Sequence, residues 1–470
     1  MLPSYLSFLN ENDLQQLKDA SLSLLENVGM KIEDEEVRKK LASFGCIIKS
    51  DRVLFPRDFI DVVTADAQSN IPFKRNNFSF NLEQGFPRTH STGGTPWVVD
   101  PDGKRRNALS EDMIDSLKLM NSLENLDLPC CLFYPSDVPS EISQLAQTEA
   151  MFRYSKKPIY APGLSVPENA KYVAELYKIF ANDDGTYPCM TGVSPESPLH
   201  LPKEITDILT TVISAGIPVS MLAAPMAGLT GPITLTGAVA QCYAELLATA
   251  AFCWTVNPKT PLIMGCRTFF CNMNLAQTIL GLPETGISSA ICSKLAARDG
   301  FLSDVYGLSC TAINADEQAG FEKMFNALIP ALGGTALITG YGSLASVMCG
   351  SLGQLLIDDE IFAMIRRCFK EFAVDEDYLG LEAIQNVALE DSTFLVEDHT
   401  IEHLRDDDIF TGKLGFNRMP EEKDPAESTL FTRAAEKARQ IIDADEITPL
   451  PEEVEREIAI IMDAAQKELL

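Results

Sequence analysis

The segment LSDVYGLSCTAINADEQAGFEKMFNALIPALGGTALITGYGS, residues 302–343, contains one complete unit of a pattern that recurs along the chain. A short apolar run at residues 302–307 is followed by a polar turn, and a helix is expected from Asp316 to Gly333. A second apolar run follows at residues 335–341. Short apolar runs joined by a helix are typical of parallel strands with a crossover connection. The segment therefore predicts a strand, helix, strand unit of an α/β protein.

The same alternation of apolar runs and helical segments continues from residue 128 onward. The runs lie at residues 128–134, 158–161, 188–193, 217–223, 261–265, 302–307, 335–341 and 393–396. Eight strands of this kind close a (β/α)8 TIM barrel. An open doubly wound sheet would need a glycine-rich phosphate loop, and neither GxGxxG nor a Walker sequence occurs. The α/β fold that we predict is therefore the barrel.

Three parts are expected along the chain. Residues 1–127 contain N-terminal helices and a small antiparallel layer of strands, and residues 128–412 form the barrel. Residues 413–470 form a C-terminal helical tail, which we expect to pack on the barrel or on a partner subunit of a possible homo-oligomer.

Composition and charge restrict the class of function. The chain has 470 residues, 46% of them hydrophobic, and a formal net charge of -29. Such an acidic surface repels nucleic acid and anionic lipid. No window approaches the roughly 18 apolar residues of a membrane span, and the first residues lack the pattern of a signal peptide. We therefore expect a cytoplasmic protein that acts on small molecules, with neither nucleic acid nor membrane as a partner.

Cysteine and histidine usage argues against a metal centre. The 12 cysteines include no CxxC pair, so buried reduced thiols are the expectation, and there are only 4 histidines. His399 and His403 have the spacing of zinc ligands on a helix, but the order of residues between them is not that of the HExxH motif. We predict no bound metal.

Several short segments carry a family resemblance when they are taken together in chain order. They are Leu25-Glu26-Asn27-Val28-Gly29, Phe44-Gly45, His90 with Gly93-Gly94 and Pro96, Ser197-Pro198-Leu199, Gly228-Leu229-Thr230-Gly231-Pro232, Ala244-Glu245, Pro283-Glu284, Asp316 to Glu322, Ile357-Asp358-Asp359-Glu360, Phe394-Leu395, His399-Thr400 and Arg405. Over nearly the whole chain, this series resembles the trimethylamine methyltransferase superfamily, specifically its branch without pyrrolysine, which acts on quaternary amines such as glycine betaine.

The resemblance implies a (β/α)8 enzyme that moves a methyl group from a quaternary amine to the Co(I) of a corrinoid. The corrinoid (cobalamin) is carried by a separate small partner protein, so no tightly bound cofactor is expected. The founding trimethylamine enzymes carry a pyrrolysine inside the barrel, and this sequence shows none. A betaine-like substrate is therefore favoured, with glycine betaine as the first expectation. The acidic residues 406–408 and the pair Phe269-Phe270 do not match the family pattern.

The substrate cation would be held by aromatic faces through cation–π attraction. The candidates at strand ends or on nearby loops are Trp97, Tyr134, Phe269, Phe270, Tyr306 and Tyr341. Tyr306 and Tyr341 are expected to position the methyl group, although each aromatic side chain could instead belong to the core. No residue is assigned with certainty to catalysis.

A betaine carboxylate would need a cationic partner, and Arg267 and His399 follow the fifth and eighth predicted strands. Arg267 could equally form a salt bridge at the rim, and His399 could anchor its loop. Asp316 and Glu317 are expected to begin a helix rather than to take part in catalysis. Two other functions stay open: a zinc-dependent methyltransferase or hydrolase with cysteine, His399 or carboxylate ligands, and a betaine-binding protein without turnover.

Overall fold

The computed structural model describes residues 9–275, 277–390, 392–406, 409–414, 429–445 and 449–470. Its α-helices are α1 (Glu11–Asn27), α2 (Glu35–Ser43), α3 (Arg57–Ala65), α4 (Ser110–Ser122), α5 (Ser143–Tyr154), α6 (Pro167–Phe180), α7 (Lys203–Ser214), α8 (Leu235–Val256), α9 (Pro283–Arg298), α10 (Glu317–Leu332), α11 (Leu352–Arg367), α12 (Glu376–Leu379), α13 (Leu381–Glu390), α14 (Asp398–His403), α15 (Leu430–Ala444) and α16 (Glu452–Leu469).

The strands are β1 (Met30–Ile32), β2 (Ile47–Lys49), β3 (Arg52–Leu54), β4 (Asn70–Arg75), β5 (Phe78–Glu83), β6 (Arg88–Ser91), β7 (Trp97–Val99), β8 (Arg105–Asn107), β9 (Ile159–Ala161), β10 (Cys189–Val193), β11 (His200–Leu201), β12 (Val219–Ala223), β13 (Met226–Ala227), β14 (Leu262–Cys266), β15 (Phe269–Asn272), β16 (Gln277–Ile279), β17 (Leu302–Tyr306), β18 (Leu337–Tyr341), β19 (Ser343–Leu344) and β20 (Cys349–Gly350). Short 3-10 helices lie at Ser140–Ile142 and Phe394–Val396.

A parallel barrel forms the centre of the molecule. Seven strands are hydrogen-bonded in the order β6-β18-β17-β14-β12-β10-β9. The gap between β6 and β9 is closed by an irregular extended segment, in which Leu128 forms a parallel bridge with His90 and Pro129 accepts a hydrogen bond of 2.9 Å from the Tyr160 N–H. The predicted (β/α)8 TIM barrel is confirmed, and residues 302–343 supply two neighbouring strands, β17 and β18, and the helix α10 between them.

One barrel strand was assigned wrongly from the sequence. The run predicted as the last strand contains the 3-10 helix Phe394–Val396, and Leu395 there is 82% exposed. The missing strand is β6, which lies ahead of residue 128, where the barrel was expected to begin, and which pairs in parallel with β18. Its sequence, RTHS, is polar. Hydrophobic periodicity could not detect it, because its side chains bind the cavity groups and neighbouring loops instead of filling an apolar core.

The N-terminal part of the chain forms small antiparallel sheets outside the barrel. β1 pairs with β3 and β3 with β2, β4 and β5 form a hairpin, and β7 pairs with β8. Asp316 caps the start of α10, because its carboxylate accepts a hydrogen bond of 3.2 Å from the Ala319 N–H. Its helix-starting role is thus confirmed. At the end of the chain, α15 packs on α11 and α16 packs on α6, so both helices lie against the barrel helices.

Helix α8 is the most apolar helix that the structure describes. Its 22 residues make it long and apolar enough to cross a membrane, and 89% of its most apolar window is buried inside the protein. It packs against α1, α9 and the strands β12 and β14. The expectation that no segment approaches the composition of a membrane span was wrong for this helix, which is the main core helix of the molecule.

Candidate functional site

A cavity of about 310 Å³ lies at the carboxyl ends of the barrel strands. Such cavities in barrel proteins usually hold the chemistry, because the loops after several strands converge there. Its lining includes His90, Tyr134, Tyr160, Arg267, Tyr306 and Thr339. They come from six different strands or strand-like segments, so the barrel itself fixes their relative positions.

Asp304, on β17, is the centre of a buried polar network beneath this cavity. Its Oδ1 accepts from Arg267 Nη2 at 2.7 Å and lies 3.0 Å from His90 Nε2. Its Oδ2 accepts from Ser220 Oγ at 2.8 Å and from the Tyr160 hydroxyl at 3.1 Å. The Asp304 side chain is completely buried. All four neighbours point toward the carboxylate, so both of its oxygens are satisfied.

The network keeps Asp304 and Arg267 charged. Burial alone would raise the pKa of Asp304, but the Arg267 and His90 side chains hold that pKa well below its ordinary value. Burial likewise acts to lower the pKa of Arg267, and the Asp304 carboxylate reverses this, so that the pKa lies above its ordinary value. The pair is thus an internal salt bridge whose two charges neutralise each other inside the barrel.

Aromatic rings cover this charge pair. The Arg267 guanidinium lies 4.8 Å from the centroid of the Tyr306 ring, and the His90 and Tyr160 rings are stacked with centroids 4.2 Å apart. The Phe269 ring in turn lies 5.4 Å from that of Tyr306. The cavity therefore presents aromatic surface, and the two charges at its floor, those of Asp304 and Arg267, are already paired with each other.

The structure brings together part of the predicted site. Tyr134, Arg267 and Tyr306 line the cavity, and Phe269 is the direct neighbour of Tyr306. Arg267 adopts the alternative role weighed from the sequence, because its guanidinium is committed to Asp304 and to the Asp304 carbonyl, at 2.8 Å from Nη1. The carboxylate of a betaine would have to compete with these bonds.

Trp97 and Phe270 lie outside the cavity. The Trp97 ring is covered by the guanidinium of Arg105, 4.4 Å from the ring centroid, at the sheet formed by β7 and β8. Phe270 is buried in an apolar cluster with Ala227 and Ala238. These two aromatic side chains pack the loops that follow the barrel strands.

Tyr341 faces away from the cavity, contrary to the prediction. Its side chain is completely buried, its hydroxyl donates to the Asn125 carbonyl at 3.1 Å, and its ring packs near Phe362 of α11. The reason is a register shift in β18 between Thr339 and Tyr341, at Gly340, whose φ is +128°. A bulge of one residue sends the next side chain to the opposite face, so Thr339 lines the cavity and Tyr341 packs against a helix.

His399 is also far from its expected place. It lies on α14, its Nε2 is 3.0 Å from the Asp377 carbonyl, and its ring packs against that of His403 at 4.5 Å. It is not among the residues that line the cavity. Its placement in the site depended on a preceding barrel strand, which the structure replaces by a 3-10 helix.

Four members of the network received no role from the sequence: His90, Tyr160, Ser220 and Asp304. A usable signal was the single carboxylate in LSDVY, since an aspartate inside an otherwise apolar strand must be paired when the strand is buried. Its partners could not be named in advance, because they come from four other strands.

One cluster of candidate metal ligands occurs among the described residues. The sulfur atoms of Cys242, Cys266 and Cys292 lie within 4.8 Å of one another, on α8, β14 and α9, and all three residues are buried. Hydrogen bonds from the other two thiols hold the pKa of Cys266 well below its ordinary value. None of the three lines the cavity, so a metal held there would sit behind the barrel wall.

The sequence similarity of this chain to known proteins extends over the whole barrel. Residues 3–469 match the model of a family described as trimethylamine methyltransferase (MTTB). Trimethylamine methyltransferase MttB of Desulfitobacterium hafniense (strain DSM 10664 / DCB-2) is 25% identical over 98% of this chain and 95% of its own length. Glycine betaine methyltransferase of D. hafniense (strain Y51) is 26% identical, with 85% of each chain covered.

Two further similarities concern substrate variety and fold. L-carnitine:corrinoid methyltransferase of Eubacterium limosum is 25% identical over 78% of this chain and 79% of its own length. The monomethylamine methyltransferase MtmB of Methanosarcina barkeri has a similar fold, with a TM-score of 0.51, 12% identity, and coverage of 94% of this chain and 95% of that chain.

Proposed function

Because this chain belongs to the trimethylamine methyltransferase family and is a methyltransferase, we propose that it moves a methyl group from a quaternary amine to the corrinoid of a separate small protein. The observation that carries the proposal is the aromatic cavity at the carboxyl end of the barrel, above a charge pair that is already neutralised. Glycine betaine is the first substrate to test, since a relative is named for it.

The polar network suits a substrate with a permanent positive charge. A quaternary ammonium gives up a methyl group and leaves as a neutral tertiary amine, so no side chain has to protonate the leaving group. Asp304 fits this requirement, because its lowered pKa keeps it a carboxylate that cannot act as an acid near neutral pH. Its negative charge also offsets Arg267, which would otherwise repel the substrate cation.

Binding of the cation is assigned to the aromatic surfaces of the cavity. Tyr306 already has the Arg267 guanidinium over its ring, and Tyr160 is stacked on His90, so Tyr134 is the lining aromatic residue with no such ring contact described. Each cation–π contact contributes about 0.5–2 kcal/mol, depending on how completely water is excluded. Holding the ammonium in one orientation aims one methyl group at the cavity mouth.

The methyl acceptor must approach from outside the cavity. A volume of about 310 Å³ is at the small end of ligand sites and suits a methylated amine rather than a corrinoid macrocycle. When it is presented by its carrier protein, the corrinoid supplies the nucleophile that accepts the methyl group.

Exposed apolar side chains on the loops at this end of the barrel support a protein partner. They are Leu229, Ile233, Met273, Leu275 and Ile313, each more than half exposed, and we call them the apolar rim. They follow β12, β14 and β17, the same strands that supply Leu222, Arg267 and Tyr306 to the cavity wall. Exposed apolar patches of this kind mark protein contact surfaces.

Product analysis tests the proposal. The purified protein would be incubated anaerobically with a reduced corrinoid protein and, in turn, glycine betaine, carnitine, proline betaine and γ-butyrobetaine. Mass spectrometry should detect the amine that has lost one methyl group for at least one substrate, and only when the corrinoid protein is present. Absence of a demethylated product from every substrate would contradict the proposal.

A further inference from the structure

A fully buried ion pair lies behind the barrel wall. Lys323 of α10 and Asp358 of α11 face each other with Nζ and Oδ2 2.9 Å apart, and neither side chain has any exposed surface. Neither residue lines the cavity. Two apolar side chains of similar volume often stabilise a protein interior as well as a buried ion pair does, because no charge has to lose its water. Stability alone therefore does not explain two charges at this position.

The Lys323 ammonium binds the backbone at the ends of two barrel strands. It donates to the Leu308 carbonyl at 2.9 Å and to the Gly340 carbonyl at 3.2 Å, in addition to its bond with the carboxylate. Leu308 lies two residues after Tyr306, the last residue of β17. Gly340 directly follows Thr339 in β18, and both Tyr306 and Thr339 line the cavity. Two of the three partners of the ammonium are thus backbone groups next to cavity residues.

The Asp358 carboxylate binds the chain just after the bulge of β18. Its Oδ2 accepts a hydrogen bond of 2.7 Å from the Gly342 N–H, and its Oδ1 accepts one of 2.8 Å from Gln354 Nε2, one turn earlier on α11. Gly340 precedes Tyr341 and Gly342 follows it, so the ion pair binds the backbone on both sides of the residue that the bulge turns out of the cavity. Apolar side chains could fill the same space but could bind neither backbone group.

A direct backbone bond joins the two strand ends to each other. The Leu308 N–H donates to the Thr339 carbonyl at 2.9 Å. Leu308 is therefore held at its N–H by β18 and at its carbonyl by Lys323. A displacement of the ammonium would move the ends of both strands, together with the side chains of Tyr306 and Thr339.

We propose that Lys323 and Asp358 are positioning residues, which act through the backbone of β17 and β18 to hold Tyr306 and Thr339 in the geometry required for methyl transfer. This role rests on the proposed function. Transfer requires one methyl group to be aligned with the corrinoid, and a displacement of about 1 Å can lower a rate about 100-fold. The attraction between a cation and an aromatic face extends to about 6 Å, so amine binding should change much less than transfer.

A double substitution tests the proposal. Lys323→Met with Asp358→Leu replaces the ion pair by apolar side chains of similar shape and leaves no unpaired buried charge, so the variant should fold. At saturating amine and carrier its rate of methyl transfer should fall about 100-fold, whereas calorimetry should find the Kd of the amine within about threefold of the wild-type value. A loss of stability alone would change neither quantity well below the melting temperature. A folded double variant with the wild-type rate, or one in which only the Kd changes, would overturn the proposal.

Lys323→Met with Asp358→Asn is the second variant, and it decides the question if the first does not fold. Asparagine keeps an acceptor for the Gly342 N–H, so only the bonds from the ammonium are lost. The rate should fall about tenfold, less than in the first variant, again with the Kd nearly unchanged. A wild-type rate in this variant would also overturn the proposal.

Lys157→Met is the matched control. Lys157 is also buried, and its ammonium also donates to two backbone carbonyls, those of Leu123 and Leu126. It lies just before β9, at the end of the barrel strands opposite to the cavity. The control should lower the melting temperature but keep the wild-type rate and Kd. An equal loss of rate in the control would overturn the proposal, since general destabilisation would then explain the effect.

Crystal structures separate the positioning role from the function on which it rests. In the first double variant the backbone of residues 339–342 and the Tyr306 ring should shift by about 1 Å, and in Lys157→Met they should not. Unchanged positions in the double variant would overturn the proposal, whatever the protein transfers. A wild-type protein that transfers no methyl group from any quaternary amine would contradict the proposed function, and the crystal structures would then decide the positioning role by themselves.

Discussion

Asp304 and Arg267 each hold the other's charge inside the barrel, at 2.7 Å, with the Asp304 side chain fully buried and that of Arg267 only 6% exposed. Asp304→Asn should destabilise the protein by about 3–5 kcal/mol, because it leaves a buried guanidinium unpaired. It should also weaken quaternary amine binding, since the uncompensated cation repels the substrate. Urea unfolding and calorimetry measure the two effects.

Ser220→Ala is the matched control, because it removes one donor to the same carboxylate and leaves the charge pair intact. Its cost should be smaller, about 1.5–3 kcal/mol. Asp304→Asn with wild-type stability and substrate affinity would contradict the role given to the pair.

The lowered pKa of Asp304 gives a pH dependence with a definite sign. In the unfolded chain an aspartate titrates near pH 3.9, and in the folded protein it titrates lower. The stabilisation from the charged carboxylate is thus fully present above about pH 4 and is lost as the pH falls through the folded pKa. The stability difference between wild type and Asp304→Asn should stay constant from about pH 5 to 7 and shrink below about pH 4. A difference that grows on acidification would contradict this.

Residues after apolar runs could be placed from the sequence where the run does enter the barrel wall, as is the case for Tyr134, although its run is an irregular extended segment and not a regular strand. Arg267 and Tyr306 follow strands with clear apolar runs, and both line the cavity. His399 was placed wrongly because the segment before it is a 3-10 helix and not a barrel strand. Tyr341 was placed wrongly because a one-residue bulge in β18 turns its side chain to the opposite face of the sheet. Asp304 could be seen as unusual in its strand, but its partners depend on the closure of the barrel.

At the scale of elements, the bulge in β18 sets which side chains reach the cavity. Gly340 has a φ of +128°, and a Cβ there would lie 2.2 Å from the Leu308 carbonyl oxygen. Gly340→Ala should therefore destabilise the protein by about 1–3 kcal/mol or more and reduce substrate binding. Thermal unfolding and calorimetry measure the two changes.

Gly320→Ala provides the comparison. Gly320 lies in α10, where a Cβ would meet nothing within 4 Å, so alanine should be neutral or stabilise the helix by about 0.5–1 kcal/mol. If both substitutions had the same effect, the close approach at Gly340 would not control the strand.

The strands with apolar sequences were predictable because hydrophobic periodicity reports burial between the barrel interior and its helices. β6 was not, because Arg88, Thr89, His90 and Ser91 are polar. Each of them instead has a polar partner: Arg88 pairs with Asp127 and His90 with Asp304, the Thr89 hydroxyl donates to the Asn125 carbonyl, and the Ser91 hydroxyl donates to the Cys130 carbonyl at 2.8 Å. The barrel strand whose side chains bind the polar groups of the site is therefore the one that hydrophobic periodicity does not detect.

At the scale of the whole molecule, the apolar rim is the surface proposed to meet the corrinoid protein. Met273→Glu or Ile313→Glu should raise the corrinoid protein concentration needed for half-maximal methyl transfer by about tenfold, because a charge is buried in the contact. The Kd of the amine should not change. Steady-state kinetics with varied carrier concentration separates the two.

Val62→Glu is the control for this surface. Val62 is an exposed apolar residue of α3, at the opposite end of the barrel, where Asp66 accepts a hydrogen bond of 2.8 Å from Trp254 near the end of α8. It should leave the carrier dependence unchanged. Equal effects of Val62→Glu and the rim variants would show that added charge, and not the rim, weakens the encounter.

In the proposed reaction, the barrel cavity binds a quaternary ammonium and one of its methyl groups is transferred to a corrinoid protein. The most direct measurement follows the absorbance of a reduced corrinoid protein after addition of this chain with glycine betaine, carnitine or choline. In parallel, 3,3-dimethylbutyrate replaces the ammonium nitrogen of glycine betaine by carbon. We predict a change in corrinoid absorbance with at least one quaternary amine and none with the carbon analogue. No change with any quaternary amine would contradict it.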